Sequence, residues 1–123
     1  MPKIRVVFYR EPGGSAPVLE WLDGLPPKAQ DKCLVKIERL RDLGHELRRP
    51  EADLLRDGIY ELRVGLQGLN YRILYFFHGR AAVVLAHGLV KERVVPPKAI
   101  EEALKRKQQF EQDPVTHTYG EGN

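Results

Sequence analysis

Three cations on strand-like segments, Arg63, Arg72 and Lys91, together with His87, have the side-chain types that phosphodiester chemistry requires. Arginine presents a planar fork that binds phosphate in a bidentate way. Cleavage also needs charge stabilisation in a pentacovalent transition state and a group that moves a proton. An imidazole titrating near about 6.5 suits that last task, and Lys91 adds a further cation. Tyr60 and Tyr71 stand beside these residues in sequence and would stack on unpaired bases, as aromatics do in readers of single-stranded RNA. Arg56 and Arg93 extend the same cationic stretch. Each residue also has a plainer reading. Glu61 is a ready cross-strand partner for Arg63, Arg72 or Lys91. A lone histidine after an apolar run is commonly a satisfied core residue, and Lys91-Glu92-Arg93 reads equally well as a solvated strand end. Residue types alone leave both readings open.

The charge distribution favours looking here. Net charge is +3 and the pI about 9.1, which is mild. From Arg56 to Lys98, however, seven cations face three acids, while the segment after Lys98 is net acidic. The middle of the chain is the natural place for a polyanion. The basic run Lys105-Arg-Lys107 is explained by the dipole at a helix C-terminus.

Other chemistries find little support. The four histidines, His45, His78, His87 and His117, have no ligand-pair spacing, and Cys33 is the only cysteine, so no metal cage or intramolecular disulfide is expected. There is no P-loop, dinucleotide fingerprint, nucleophile elbow or HExxH motif. No cofactor is expected. No apolar run reaches the length of a membrane span, and the N-terminus opens on a strand pattern instead of a signal peptide. A reducing cytoplasm is the expected compartment.

The elements that must position these residues follow from periodicity. At 123 residues, 42% hydrophobic and 30% charged, the chain suits one packed domain, assigned to residues 1–113, with 114–123 as a flexible tail. Ile4–Tyr9 reads as a first strand. Ser15 suits the N-cap of a short helix through Pro17 and Leu22. After Pro26-Pro27, apolar residues Ala29, Cys33, Leu34, Ile37, Leu40 and Leu43 recur at steps of three and four, predicting a helix over Lys28–Leu43 that ends at Gly44. Ile59–Val64, Leu69–Phe77 and Ala82–Val90 read as an antiparallel meander, and Pro97 opens a final helix to about Phe110. The expected order is β-α-α-β-β-β-α. The fold class is α+β: a small antiparallel sheet, meander plus N-terminal strand, with two N-terminal helices packed on one face and a C-terminal helix. Alternation puts Glu61 and Arg63 on one face of their strand and Tyr60, Leu62 and Val64 on the other. In the last strand it groups His87 with Leu85, Leu89 and Lys91. Beyond Arg72 its strand is apolar on both faces, so parity does not say which face is the core. The three cations fall near one end of adjacent strands, roughly 4.8 Å apart, close enough to share one or two phosphates.

Four segments in order resemble the phage-derived HigB-like branch of the RelE/ParE toxins. They are Leu55-Arg-Asp-Gly-Ile-Tyr-Glu-Leu-Arg63, Tyr71-Arg-Ile-Leu-Tyr-Phe76, Val83-Val-Leu-Ala-His-Gly-Leu-Val-Lys91 and Pro96-Pro-Lys-Ala-Ile100. The resemblance implies a RelE-like fold and the toxin of a type II toxin–antitoxin system. It implies a metal-independent endoribonuclease acting on mRNA in the ribosomal A site. It also implies a cognate antitoxin, often of helix-turn-helix type, in a homodimer or a heterotetramer with that antitoxin. Carried over, the arginines Arg63 and Arg72 bind phosphate and stabilise the transition state, Lys91 is a cation or proton-transfer group, and His87 falls on the family histidine. Where the family pattern has two lysines, this chain has Lys91-Glu92 with Arg93 next. The alternatives are a non-catalytic gyrase inhibitor of the ParE kind and an antitoxin-bound co-repressor subunit.

Overall fold

The computed structural model describes residues 3–90 and 93–120. The elements are β1 (Arg5–Phe8), α1 (Pro17–Asp23), α2 (Pro27–Leu43), a 3-10 turn (Gly44–Glu46), β2 (Ala52–Arg56), β3 (Ile59–Leu66), β4 (Leu69–His78), β5 (Ala82–Val90) and α3 (Pro97–Gln112). The five strands form one sheet in the order β1-β5-β4-β3-β2, with β1 parallel to β5 and every other pair antiparallel. The fold is α+β and consistent with the RelE-like architecture.

Strand β2 was not foreseen. Ala52-Asp-Leu-Leu-Arg56 is too short and too polar to announce itself, and it becomes a strand because β3 offers it a partner. The Asp57-Gly58 pair, with φ of 52° and 81°, turns one strand into the other. Two consecutive positive-φ residues match the right-handed twist of a hairpin. Gln67-Gly68 repeats this geometry between β3 and β4. In α2, Ala29, Cys33, Ile37 and Leu40 are buried as the periodicity requires, but Leu34 and Leu43 fall at the margin of the stripe and stay exposed. The short helix α1 starts without a side-chain cap: Ala16, not Ser15, holds the N-cap position.

The helices cover both faces of the sheet, not one. Helices α1 and α2 enclose Leu62, Val64, Ile73, Tyr75 and Leu85. Helix α3 lays Ala99, Ile100, Ala103 and Phe110 over Ile59, Leu74, Phe76 and Val84. This explains the doubly apolar β4, since both of its alternating sets are core.

A bulge changes the parity of β5. Leu74 pairs with His87 and the next residue, Tyr75, pairs with Leu85, leaving Ala86 as the extra residue. Leu85 therefore belongs to the α1/α2 core while His87, opposite Leu74, stands on the α3 side. The expected grouping of Leu85 with His87 fails here. Gly88 turns to the other side and lies under Trp21 of α1: a Cβ there would come within 2.3 Å of the indole.

Residues 114–120, expected as a loose tail, lie against β1. Thr118 bridges to Tyr9, the Tyr119 amide donates to the Phe8 carbonyl at 3.0 Å, and the His117 ring stacks on Tyr9 at 5.0 Å.

Because the indole cannot retreat without opening the α1 packing, Gly88→Ala should destabilise the fold by about 1–3 kcal/mol. Urea unfolding of the two proteins measures it; equal midpoints would show that Trp21 does not press on this position.

Candidate functional site

Strands β3 and β4 pair so that Arg63 stands directly opposite Arg72. Alternation along β3 puts Arg63 and Glu61 on the α3 side with Ile59, and Arg72 joins them beside Leu74. Two adjacent guanidiniums repel, and Glu61 resolves the conflict. Its Oε2 accepts from Arg63 Nε at 3.1 Å and Nη2 at 2.9 Å, and its Oε1 accepts from Arg72 Nη1 at 3.1 Å. Across from Glu61 on β2 lies Asp53, whose Oδ2 accepts from Arg63 Nη2 at 3.3 Å and pairs with Arg49 Nε at 3.0 Å. The network thus runs Arg49–Asp53–Arg63–Glu61–Arg72, three guanidiniums against two carboxylates. Glu61 is 3% exposed, the Arg72 side chain 12% and the Arg63 side chain 36%. Arg63 is therefore the member of the central pair that meets solvent, and Arg72 backs it from below. The Arg72 Nε is buried with no hydrogen-bond partner among the described residues.

His87 shares this side of the sheet, two pairs along from the Arg72–Leu89 pair. Arg106 of α3 reaches the bulge, donating from Nη1 to the Ala86 carbonyl at 2.7 Å and approaching His87 Nδ1 at 3.2 Å. An arginine only donates, so His87 Nδ1 must accept and the neutral ring carries its proton on Nε2. Burial, and secondarily the Arg106 charge, holds the His87 pKa below its ordinary value. In this state His87 is an Nε2–H hydrogen-bond donor, not a general base through that atom. Arg106 is itself anchored by Glu11 at 3.3 Å and Glu102 at 3.2 Å.

The remaining expected residues divide. Lys91 lies outside the described residues. Arg93 is exposed. Arg56 is exposed beside Asp57 and pairs with Ile59 at the far end of β3, which lies four residues along that strand from Arg63, or about 13 Å at strand rise. Tyr60 and Tyr71 are on the opposite face from the arginines. Tyr71 is buried against Trp21, with ring centroids 6.5 Å apart, and Tyr60 stacks on Tyr75 at 5.4 Å. Their rings serve the α1/α2 core first. Arg49 and Asp53 went unnoticed in the sequence, and Arg106 was read only as part of the basic run at a helix C-terminus. Only the Asp57-Gly58 hairpin turn pointed toward Asp53, by implying a strand before it; nothing local pointed to Arg106, whose partners at Ala86 and His87 are some twenty residues away. Among the described residues no group of His, Cys, Asp or Glu is arranged to hold a metal ion, and no helix is long and apolar enough to cross a membrane.

The family model for phage-derived Gp49-like proteins (DUF891) matches residues 20–108, a span from α1 through most of α3 that includes every residue of this network. The chain belongs to that family. Gp49-like proteins are a toxin–antitoxin-associated family of RelE-like toxins. No curated protein matches the chain in sequence.

Two outcomes follow from the geometry. Glu61→Gln removes the charge that holds two guanidiniums together and should cost about 3 kcal/mol of unfolding free energy; a loss below 1 kcal/mol, measured in urea, would mean that the network relaxes without it. For His87, the folded pKa lies below the ordinary 6.5, so below that pH the unfolded chain binds more protons than the folded one. Its contribution is intact above 6.5 and is lost as pH falls. The melting temperature should drop between pH 7.5 and 5.5, and His87→Gln should make that drop smaller; the same drop in both proteins would contradict it.

Proposed function

We propose that this chain is the toxin of a type II toxin–antitoxin pair of the HigB-like branch. In this reading it is a metal-independent endoribonuclease that cleaves mRNA, in the ribosomal A site, in the cytoplasm. The observation that carries the reading is the cross-strand Arg63–Arg72 pair, preset by Glu61 and left with an excess of cations at a solvent-facing end of the sheet. Arg63, half-open to solvent, grips the scissile phosphate. Arg72 supplies fixed positive charge behind it at low dielectric, where a preorganised cation acts most strongly on a developing oxyanion. His87 donates Nε2–H to a phosphate or leaving oxygen. Lys91 is the cation or proton-transfer group of the strand end, and Arg93 extends the track for the strand. Family membership brings with it an antitoxin partner; a helix-turn-helix antitoxin, in a heterotetramer, is the form proposed.

A second reading has its own observation. Glu61 already occupies one edge of both guanidinium forks, and Arg72 is nearly enclosed. Such a pair also suits a subunit that binds without cutting, whether as a gyrase inhibitor or as an antitoxin-bound co-repressor.

Induced expression of the chain alone, with mapping of transcript 5′ ends, separates these readings. The nuclease reading expects growth arrest with new 5′ ends. It also expects Arg63→Gln to lower cleavage about a hundredfold, the loss typical of one electrostatic donor, at a temperature where circular dichroism shows the variant still folded. Arrest without new ends would transfer the case to the binding reading, and unimpaired growth would sink the toxin altogether.

A further inference from the structure

A cavity of about 350 Å³ runs along the outer edge strand β2, lined by Leu47, Arg48, Arg49, Asp53, Leu54 and Tyr60, with Ala52 at its base. Its volume lies at the small end of ligand pockets. Leu54 is 53% exposed, an unusual state for a leucine on the rim of a concave surface. Among the described residues Arg49 pairs with Asp53, and Arg48 donates to the His45 carbonyl. Beside Tyr60 lies the fully buried Tyr75, whose hydroxyl has no hydrogen-bond partner among the described residues. Arg48 and Tyr60, both lining the cavity, are among the charged and ionisable groups that act on that hydroxyl.

The cavity is joined to the arginine pair through one residue. Asp53 lines it, pairs with Arg49 on that side and accepts from Arg63 on the other. A strand whose phosphate sits at Arg63 would enter the cavity by passing over the β2 edge at Asp53. Apolar and aromatic walls for a base and two arginines for the flanking phosphates are together the elements of a single-strand nucleotide site.

We propose that the β2-edge cavity bounded by Leu54, Tyr60, Arg48 and Arg49 takes one unpaired RNA base next to the phosphate held by Arg63. This rests on the RNA-binding reading of the Arg63–Arg72 pair. The cavity, not the sheet face bearing the arginines, then decides which base is accepted, and Tyr60 acts from the far side of the sheet by forming its wall.

The test is binding of the full chain to a short fluorescent RNA, 2′-O-methylated throughout so that it cannot be cut, with a single abasic residue moved along it. For the wild type one abasic position should weaken binding on the order of tenfold, the worth of one stacked base. Leu54→Gln and Arg49→Gln, both at exposed positions, should bind the intact RNA as weakly as the wild type binds that abasic RNA. In both, the abasic penalty at that position should disappear. If the penalty persists undiminished in both variants, or no position shows one while Arg63→Gln still weakens binding, the cavity takes no base and the arginine reading stands alone. If the wild type binds no RNA, both fall. If the variants bind RNA normally but lose a co-expressed antitoxin, the cavity is a protein-docking surface and the inference is overturned.

Discussion

A carboxylate taken out of water loses hydration worth several kcal/mol, and only close, well-oriented cations return it. Glu61 is in that position, on an inner strand beneath the α3 side of the sheet. It needs Arg63 and Arg72, and they need it, because two guanidiniums facing each other across one strand pair would otherwise separate. The pairing register of β3 with β4 supplies the meeting point. Asp53 extends the balance onto β2, and Arg49 closes it at the surface. One buried negative charge thus fixes the rotamers of two arginines, ties the edge strand to the sheet and leaves one cation in excess beside solvent. The proposed phosphate site is built from parts that the fold already has to satisfy.

The second constraint is the double coverage of the sheet. Strand β4 is buried on both faces, so helices must approach from both, and β5 beside it must be narrow where each passes. Gly88 admits Trp21 on one side and Ala82, Ala86 and Ala103 bring α3 close on the other. The bulge at Ala86 is the joint between these two demands. It reverses the facing of the strand so that His87 turns toward α3, and it exposes a carbonyl that Arg106 must cap. The same guanidinium then sets the tautomer of His87. A packing solution and a proton assignment come from one contact.

The C-terminal segment follows the same economy. Asp113 ends α3 and accepts from the Thr116 side chain at 2.6 Å, which turns the chain back toward β1. His117 then stacks on Tyr9 and contacts the Arg10 carbonyl at 2.8 Å, covering part of an edge strand that would otherwise offer open backbone groups.

Much of this was legible in the chain itself. The stripe Ala29, Cys33, Ile37, Leu40 predicted α2, and the apolar runs predicted β3, β4, β5 and their order, because local periodicity depends only on near neighbours. Alternation put Glu61 and Arg63 on one face of β3, which is a property of any strand. Three things were not legible. The strand Ala52–Arg56 has weak propensity and exists by virtue of its partner. The bulge at Ala86 inverts the parity of everything after it, and no local pattern marks where an extra residue will sit. The joining of Arg49, Asp53 and Arg106 to the site spans contacts between distant segments. The sequence by itself determined which elements form and which side chains carry charge. Tertiary structure alone decided which of those charges meet, since meeting depends on register, bulge and the competition of two cores for one sheet.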